Sequence, residues 1–460
     1  MSGRPAKISL AQWEEQYAAL RAAGTPEAPY GGPLGRHVRD GDLRLTELQF
    51  DNSPAALRLW NFLLTEEDRL HQARAGGKKL LGAMKDLGTV PVLAYSLPNV
   101  VAFYPDGAWW LPCVMRMSDG LLAMADSLGV DESFCPVRAM LGAFLSGAHF
   151  PIPDLCVCSV GATCDDFSAI AQRLEGLGYP ILWWEIPARR RCEAGEECVE
   201  LPGGFRAPAR QVAFVRSELE RVRTALEHLA GGRLDDPAVA EGIRQANKVR
   251  RLLKELRSLA YSSPICPMPA LEMLLAEMLA IHFCSDRDEC ADVLAELLQE
   301  VRGRLRREEG LLDREAARVF VVNPVADLRV MNLLEDCGGR ACGTEYLFCH
   351  ALDEIPQDLP PMEALARMAL ADPMVGPARE RAERICSDIL AFGAEAVLIC
   401  RIPGASHCAT EGAVIAQAVQ TRLRLPAAEI EAPPVSDSFQ TTLRTRIEAL
   451  VETVLSARKR

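Results

Sequence analysis

Two stretches of the chain share one pattern: a short apolar run, a polar loop carrying a cysteine, then helical spacing. The first is the run 155–160, the loop Gly161-Ala162-Thr163-Cys164 and helical spacing over 167–177. The second is Ala396-Val397-Leu398-Ile399-Cys400, the loop Pro403-Gly404-Ala405-Ser406-His407-Cys408 and helical spacing over 409–423. Short apolar runs bounded by turn residues read as buried strands, and a 3.6-residue period reads as a helix packed on them. The first unit continues into the apolar run 181–186, with Gly178 ending the helix between them, which makes a βαβ unit. In parallel α/β sheets the loops at the carboxyl ends of strands build the binding crevice, so each thiol is placed where a ligand would meet it.

The rest of the pattern divides the chain. Residues 1–77 read as an irregular, mostly helical entry segment, broken early by Pro26, Pro29, Gly31, Gly32 and Pro33 and helically spaced over 57–75. From Lys78 the pattern turns α/β, with 90–95 and 100–103 read as short strands, and the Arg-, Glu- and Gly-rich stretch 188–208 as a linker. Val212, Val215, Leu219, Val222, Leu226 and Leu229 step by threes and fours to Gly231-Gly232. Asp236-Pro237 reads as N-cap and first-turn proline of the next helix, striped by Ile243, Val249, Leu253, Leu256 and Leu259. Pro264, Pro267 and Pro269 interrupt, helices resume over 271–307, and the mixed charges of 302–309 read as a solvated face. A strand at 319–322, a helix at 330–337, a short strand before Tyr346, a helix at 377–392 and an amphipathic helix at 441–457 complete the chain. The fold class is α/β: a helical N-terminal segment (1–77), a first α/β domain (78–208), a helical insert (209–312) and a second α/β domain (313–460).

Composition adds exclusions. A charge of −12 over 460 residues argues against binding nucleic acid or an anionic membrane. The start Met1-Ser2-Gly3-Arg4-Pro5-Ala6-Lys7 leads into no apolar run, and no stretch approaches the ~18 residues of a membrane span, so a cytoplasmic protein is expected. Sixteen cysteines without a CxxC pair exclude zinc-ribbon and thioredoxin readings. A reducing compartment argues against disulfides, so Cys192 and Cys198, in a charged loop, are expected as exposed bystanders.

Three cysteines share one placement. Cys135 precedes Pro136 and a helical stretch, and Cys164 and Cys408 also precede helices, where backbone N–H groups and partial positive charge lower a thiol's pKa. Thiolate-rich sites of this kind select zinc or iron–sulfur clusters. Cys349, after a short strand, and Cys113, after Trp109-Trp110-Leu111-Pro112, are further candidates, with burial as the alternative for each. Cys156, Cys158 and Cys400 lie within strands and read as core. His407, beside Cys408, is a candidate for hydrogen bonding to a cluster or for proton transfer. Asp165 and Asp166 read as caps of the helix after Cys164. No P-loop, GxGxxG or HExxH occurs, so no nucleotide site is expected on this chain.

From about Gly77 onward the chain resembles the benzoyl-CoA reductase/2-hydroxyacyl-CoA dehydratase family of iron–sulfur subunits. The resemblance rests on Cys135-Pro136, the strand and Thr163-Cys164-Asp165, the run Gln245-Ala246-Asn247-Lys248-Val249-Arg250-Arg251, the run Leu334-Glu335-Asp336-Cys337-Gly338-Gly339, and the ending Leu443-Arg444-Thr445-Arg446-Ile447-Glu448-Ala449. It implies two Rossmann-like parallel-sheet domains with an iron–sulfur cluster in the cleft, held by Cys135, Cys164 and Cys408, with Cys349 matching a further cysteine of some members. The cluster implied is a 4Fe-4S, or a double-cubane cluster in one branch. Partners implied are an ATP-hydrolysing iron–sulfur activator and a homologous subunit or second copy; the substrate implied is an acyl-CoA or another small molecule. A non-catalytic pairing or electron-transfer subunit is the alternative function. The chain departs from the family over 88–101 and 264–269, the second of these where members shape the acyl-CoA pocket.

Overall fold

The computed structural model of the protein describes residues 4–24, 32–34, 44–84, 88–107, 118–282, 285–433 and 437–459. Cys113 and Cys284 lie outside them. Two four-stranded, wholly parallel sheets organise the chain. A short antiparallel pair, β1 (Lys7–Ser9) and β2 (Gln49–Asp51), precedes them. The first sheet holds β3 (Lys79–Met84), β4 (Val100–Phe103), β5 (Leu155–Gly161) and β6 (Ile181–Ile186) in the order β4-β3-β5-β6. After the hairpin β7 (Cys198–Glu200) and β8 (Arg206–Pro208), the second sheet holds β9 (Ala317–Val322), β10 (Gly339–Glu345), β11 (Ala396–Arg401) and β12 (Ala427–Glu431) in the order β10-β9-β11-β12. Within its own sheet each follows the order second, first, third, fourth. The chain therefore builds the same doubly wound unit twice, with the reversal of direction between its first and third strands in both.

Between the sheets run the helices Ala209–Ala230, Asp236–Ser262, Ala270–His282 and Arg287–Arg307. The helix Asp236–Ser262 binds both halves. Tyr95 donates to the Gly242 carbonyl at 3.1 Å, Asn247 exchanges two hydrogen bonds with the Ile355 backbone at 2.8 and 2.9 Å, and Arg250 donates to the Ala351 carbonyl at 2.7 Å. Among the described residues no helix is long and apolar enough to cross a membrane.

Several local expectations are corrected. Residues 90–95 form a helix rather than a strand, with Pro91 in its first turn; every side chain is buried, so neither period shows in the sequence. The stretch 188–208 carries the β7–β8 hairpin, and Cys192 and Cys198 form a disulfide and are half-buried, not exposed free thiols. Asp235, not Asp236, caps the next helix, accepting from the Ala238 N–H at 3.0 Å. The charges of 302–309 are not all solvated: Arg304 is 1% exposed because Asp51 of the entry segment takes both its terminal nitrogens, at 2.5 and 2.9 Å. The sequence pattern marks no strand at β1, β2, β3 or β12 and no helix at Pro361–Leu370.

Candidate functional site

The carboxyl ends of the two sheets face one cavity of about 150 Å³. From the first sheet come Tyr104 and Asp106 after β4 and Cys164 after β5. From the second come Pro324 after β9, residues 346–348 after β10, and Ile402, Ala405, Ser406, His407 and Cys408 after β11. Cys135 enters on the crossover between β4 and β5, just before the turn Pro136–Arg138. Three cysteines from two sheets thus line one space. Cys164 and Cys408 occupy equivalent places, each after the third strand of its sheet, beside the point where strand order reverses.

Burial dominates these thiols. Desolvation pushes Cys135 well above the ordinary thiol value, Cys164 to about 11 and Cys408 to about 12. The mutual influence of Cys135, Cys164 and Cys408 adds to the rise. The expectation of depressed values at helix N-termini is therefore reversed: in a buried cleft the cost of an isolated thiolate exceeds the pull of a helix end. Cys408 lies inside a one-turn helix, Ser406–Thr410, and ahead of the longer helix Gly412–Leu423.

Cys349 is not on this cavity. It lies in the turn Phe348–Leu352, behind the 346–348 wall, where its sulfur accepts from the Tyr346 N–H at 3.3 Å beside the buried Arg257–Glu277 ion pair. Burial raises this thiol to about 12. His407 is on the cavity, its Nε2 3.3 Å from the Met374 carbonyl and its Nδ1 3.3 Å from Ser406 Oγ. Cys156, Cys158 and Cys400 are core, as expected.

Neither Asp165 nor Asp166 caps the helix after Cys164, contrary to the expectation from the sequence. The N-cap of Asp165–Gly176 is Cys164, with no side-chain capping bond. Asp166 instead accepts the Cys135 N–H at 3.1 Å, the Cys164 thiol at 3.4 Å and the Ser406 N–H at 3.4 Å. Beneath the Cys408 loop, Asn323 sits in the left-handed region (φ 66°) and joins Arg381, which pairs with Glu345 and Glu411. The dipeptide Asn323-Pro324 at a strand end signals such a turn. Nothing in the sequence marks Arg381, one arginine among several on its helix. Leu347 on the cavity wall holds φ 64°, ψ −46°, the centre of a three-residue turn closed by Phe348 N–H to the Tyr346 carbonyl at 2.7 Å. That conformation is strained for a leucine, and such strain gathers at ligand sites.

A family model described as 2-hydroxyglutaryl-CoA dehydratase, D-component, matches residues 93–454. No curated protein matches the chain.

Proposed function

Because the chain belongs to the 2-hydroxyglutaryl-CoA dehydratase D-component family, we propose that it is the cluster-bearing subunit of an ATP-dependent dehydratase acting on a 2-hydroxyacyl-CoA in the cytoplasm. The observation that carries this is the convergence of Cys135, Cys164 and Cys408 on one cavity between two sheets. The donor set suits an iron–sulfur cluster. Thiolates are the ligands such clusters take. Among the described residues no three His, Cys, Asp or Glu side chains close on a point as the ligands of one ion would. The three thiols line one cavity together, Cys135 and Cys164 from the first sheet's side and Cys408 from the second's.

A 4Fe-4S cluster held by these three cysteines would supply one-electron chemistry at low potential. The chain's own part is placement and exclusion of water. Met278, Ile281, Leu347 and Phe348 give the cavity an apolar wall, which shields a reactive intermediate from solvent. His407 sets an imidazole in that wall, able to hold or pass a proton at either ring nitrogen. Electrons would come from a separate ATP-hydrolysing activator, and a homologous subunit or second copy would complete the assembly. Cys349 stands off the cavity, which favours a single cluster over the larger double-cubane group.

Anaerobic purification with iron and sulfide counts tests the reading. About four of each per chain are expected, and Cys164→Ala or Cys408→Ala should lose them. Fewer than about three irons in the wild-type chain, or full content in either variant, overturns the assignment. Dehydration of a 2-hydroxyacyl-CoA by the loaded chain with activator and ATP tests the catalytic half. No turnover with a full cluster would move the active site to the partner subunit.

A further inference from the structure

We propose that Asp166 is the positioning residue that fixes the three cysteine loops, and with them the two sheets, in one register. This rests on the reading of the cavity as a cluster site. Asp166 is 6% exposed, and its carboxylate is tied to each loop: Oδ1 to the Cys135 N–H, Oδ2 to the Ser406 N–H two residues before Cys408, and Oδ2 to Cys164 itself. Cys135 and Cys164 belong to the first sheet's side and Ser406 to the second's, so the contact crosses the cleft over 240 residues of sequence.

The chemistry explains why a carboxylate is used. It accepts from three directions at once, which no single amide or hydroxyl does as well. It sits in the first turn of Asp165–Gly176, where the helix end stabilises negative charge. Two of its three donors are backbone amides, which keep their protons whatever happens to the thiols. Were Cys164 a thiolate ligand, its S–H bond to Asp166 would give way to repulsion between two anions, leaving the Cys135 and Ser406 amides to hold the carboxylate. The clasp is thus built to persist in the loaded site. The Cys135 amide is buried and the Ser406 amide part-buried, and an ionised acceptor strengthens a hydrogen bond over a neutral one.

Two measurements on the full-length chain test this. The first is site-resolved amide hydrogen exchange on the metal-free protein, comparing wild type with Asp166→Ala and Asp166→Asn. In Asp166→Ala the amides of Cys135 and Ser406 should exchange at least about tenfold faster, while those of β5 and β11 keep wild-type protection. Asp166→Asn retains one acceptor oxygen and should protect one of the two amides; it also serves if the alanine variant does not fold. Wild-type protection at both amides in the variants overturns the proposal. The second is the rate of iron loss to a chelator from the anaerobically loaded chain, expected to rise about tenfold in Asp166→Ala with an altered electron paramagnetic resonance line shape. Unchanged iron loss despite lost amide protection also overturns it. A wild-type chain that takes up no iron would sink the cluster reading, while the exchange data would still judge Asp166.

Discussion

Arg381 donates from Nη2 to Asn323 Oδ1 at 2.6 Å, and Asn323 passes the connection on, donating to the Cys400 carbonyl at 2.8 Å and the Cys408 carbonyl at 3.5 Å. The end of β11 and the thiol loop after it are therefore hung from one buried arginine. Asparagine suits the position because it tolerates the left-handed backbone that turns β9 into its loop.

Removing the cation should cost more than removing a contact. Arg381 is 1% exposed in its side chain and faces Glu345 and Glu411, so Arg381→Met leaves two carboxylates uncompensated. Breaking a buried pair in this way costs about 3–5 kcal/mol. Urea denaturation should show that loss. A loss below about 1 kcal/mol would mean that the carboxylates find water, and that the network is not sealed.

Glu272 should make stability depend on pH. It is fully buried, and its Oε1 accepts from the Asp51 N–H at 2.9 Å and from Trp60 Nε1 at 3.1 Å, while Oε2 has no partner. Burial, followed by the charge on Asp51, pushes its pKa up to about 8. The unfolded chain holds this proton only to about pH 4.3. Between these values the folded state binds more protons than the unfolded one, so this group's contribution falls as pH rises from about 4.3 to 8. Glu272→Gln keeps an acceptor at Oε1 and removes the ionisation. It should match wild type near pH 5 and exceed it near pH 9 by on the order of 3–5 kcal/mol, by denaturation at the two values. Parallel pH profiles for the two proteins would show that the folded carboxyl is already ionised.

The sequence made the repeated strand–cysteine–helix unit legible because each strand is a continuous apolar run, as buried parallel strands are. The first of these units, with Cys135-Pro136 and the runs 245–251, 334–339 and 443–449, carries the family resemblance, which the match over 93–454 bears out. What escaped was whatever depends on contacts distant in sequence. Residues 90–95 gave no period because they are buried all round. Arg304 looked like a surface charge because its partner, Asp51, lies 253 residues away. Asp166 reads locally as a helix cap, and that role implies no bond to Ser406, 240 residues away. At the site the spacing alone makes the cysteines legible one at a time, and it is the family resemblance that implies a cleft shared by Cys135, Cys164 and Cys408, the three thiols that line one cavity.

The Cys192–Cys198 disulfide runs against the expectation of a reducing compartment, and thiol labelling decides it. It closes a short loop beside the β7–β8 hairpin, worth about 2 kcal/mol by loop-closure entropy. Alkylation under native, non-reducing conditions followed by peptide mass analysis should leave both residues unlabelled until reductant is added. Cys192→Ser should then increase proteolytic cutting within 193–197 and leave iron content unchanged, since the pair is not on the thiol cavity. Labelling of both cysteines before reduction would remove the bond from the protein as isolated.

Gly404 lets the two cysteine loops approach, and alanine there should part them. Its φ is +78°, and a Cβ would stand 2.5 Å from the Phe134 carbonyl oxygen and 3.1 Å from the Cys135 nitrogen. Both are backbone atoms, so no side-chain rotation relieves the contact. Gly393 provides the control: its φ is +65°, yet a Cβ there would meet only Arg318 Nη2, at 3.8 Å. Gly393→Ala should cost about 1 kcal/mol from backbone strain alone and leave iron binding intact. Gly404→Ala carries the same strain plus the collision, for about 2–4 kcal/mol, and pushes the Cys135 turn away from Cys408. Its iron content after anaerobic reconstitution should drop well below that of Gly393→Ala. Equal iron in the two variants would mean that the cavity does not need its cysteine loops in contact, and the three-thiol site would have to be drawn more loosely.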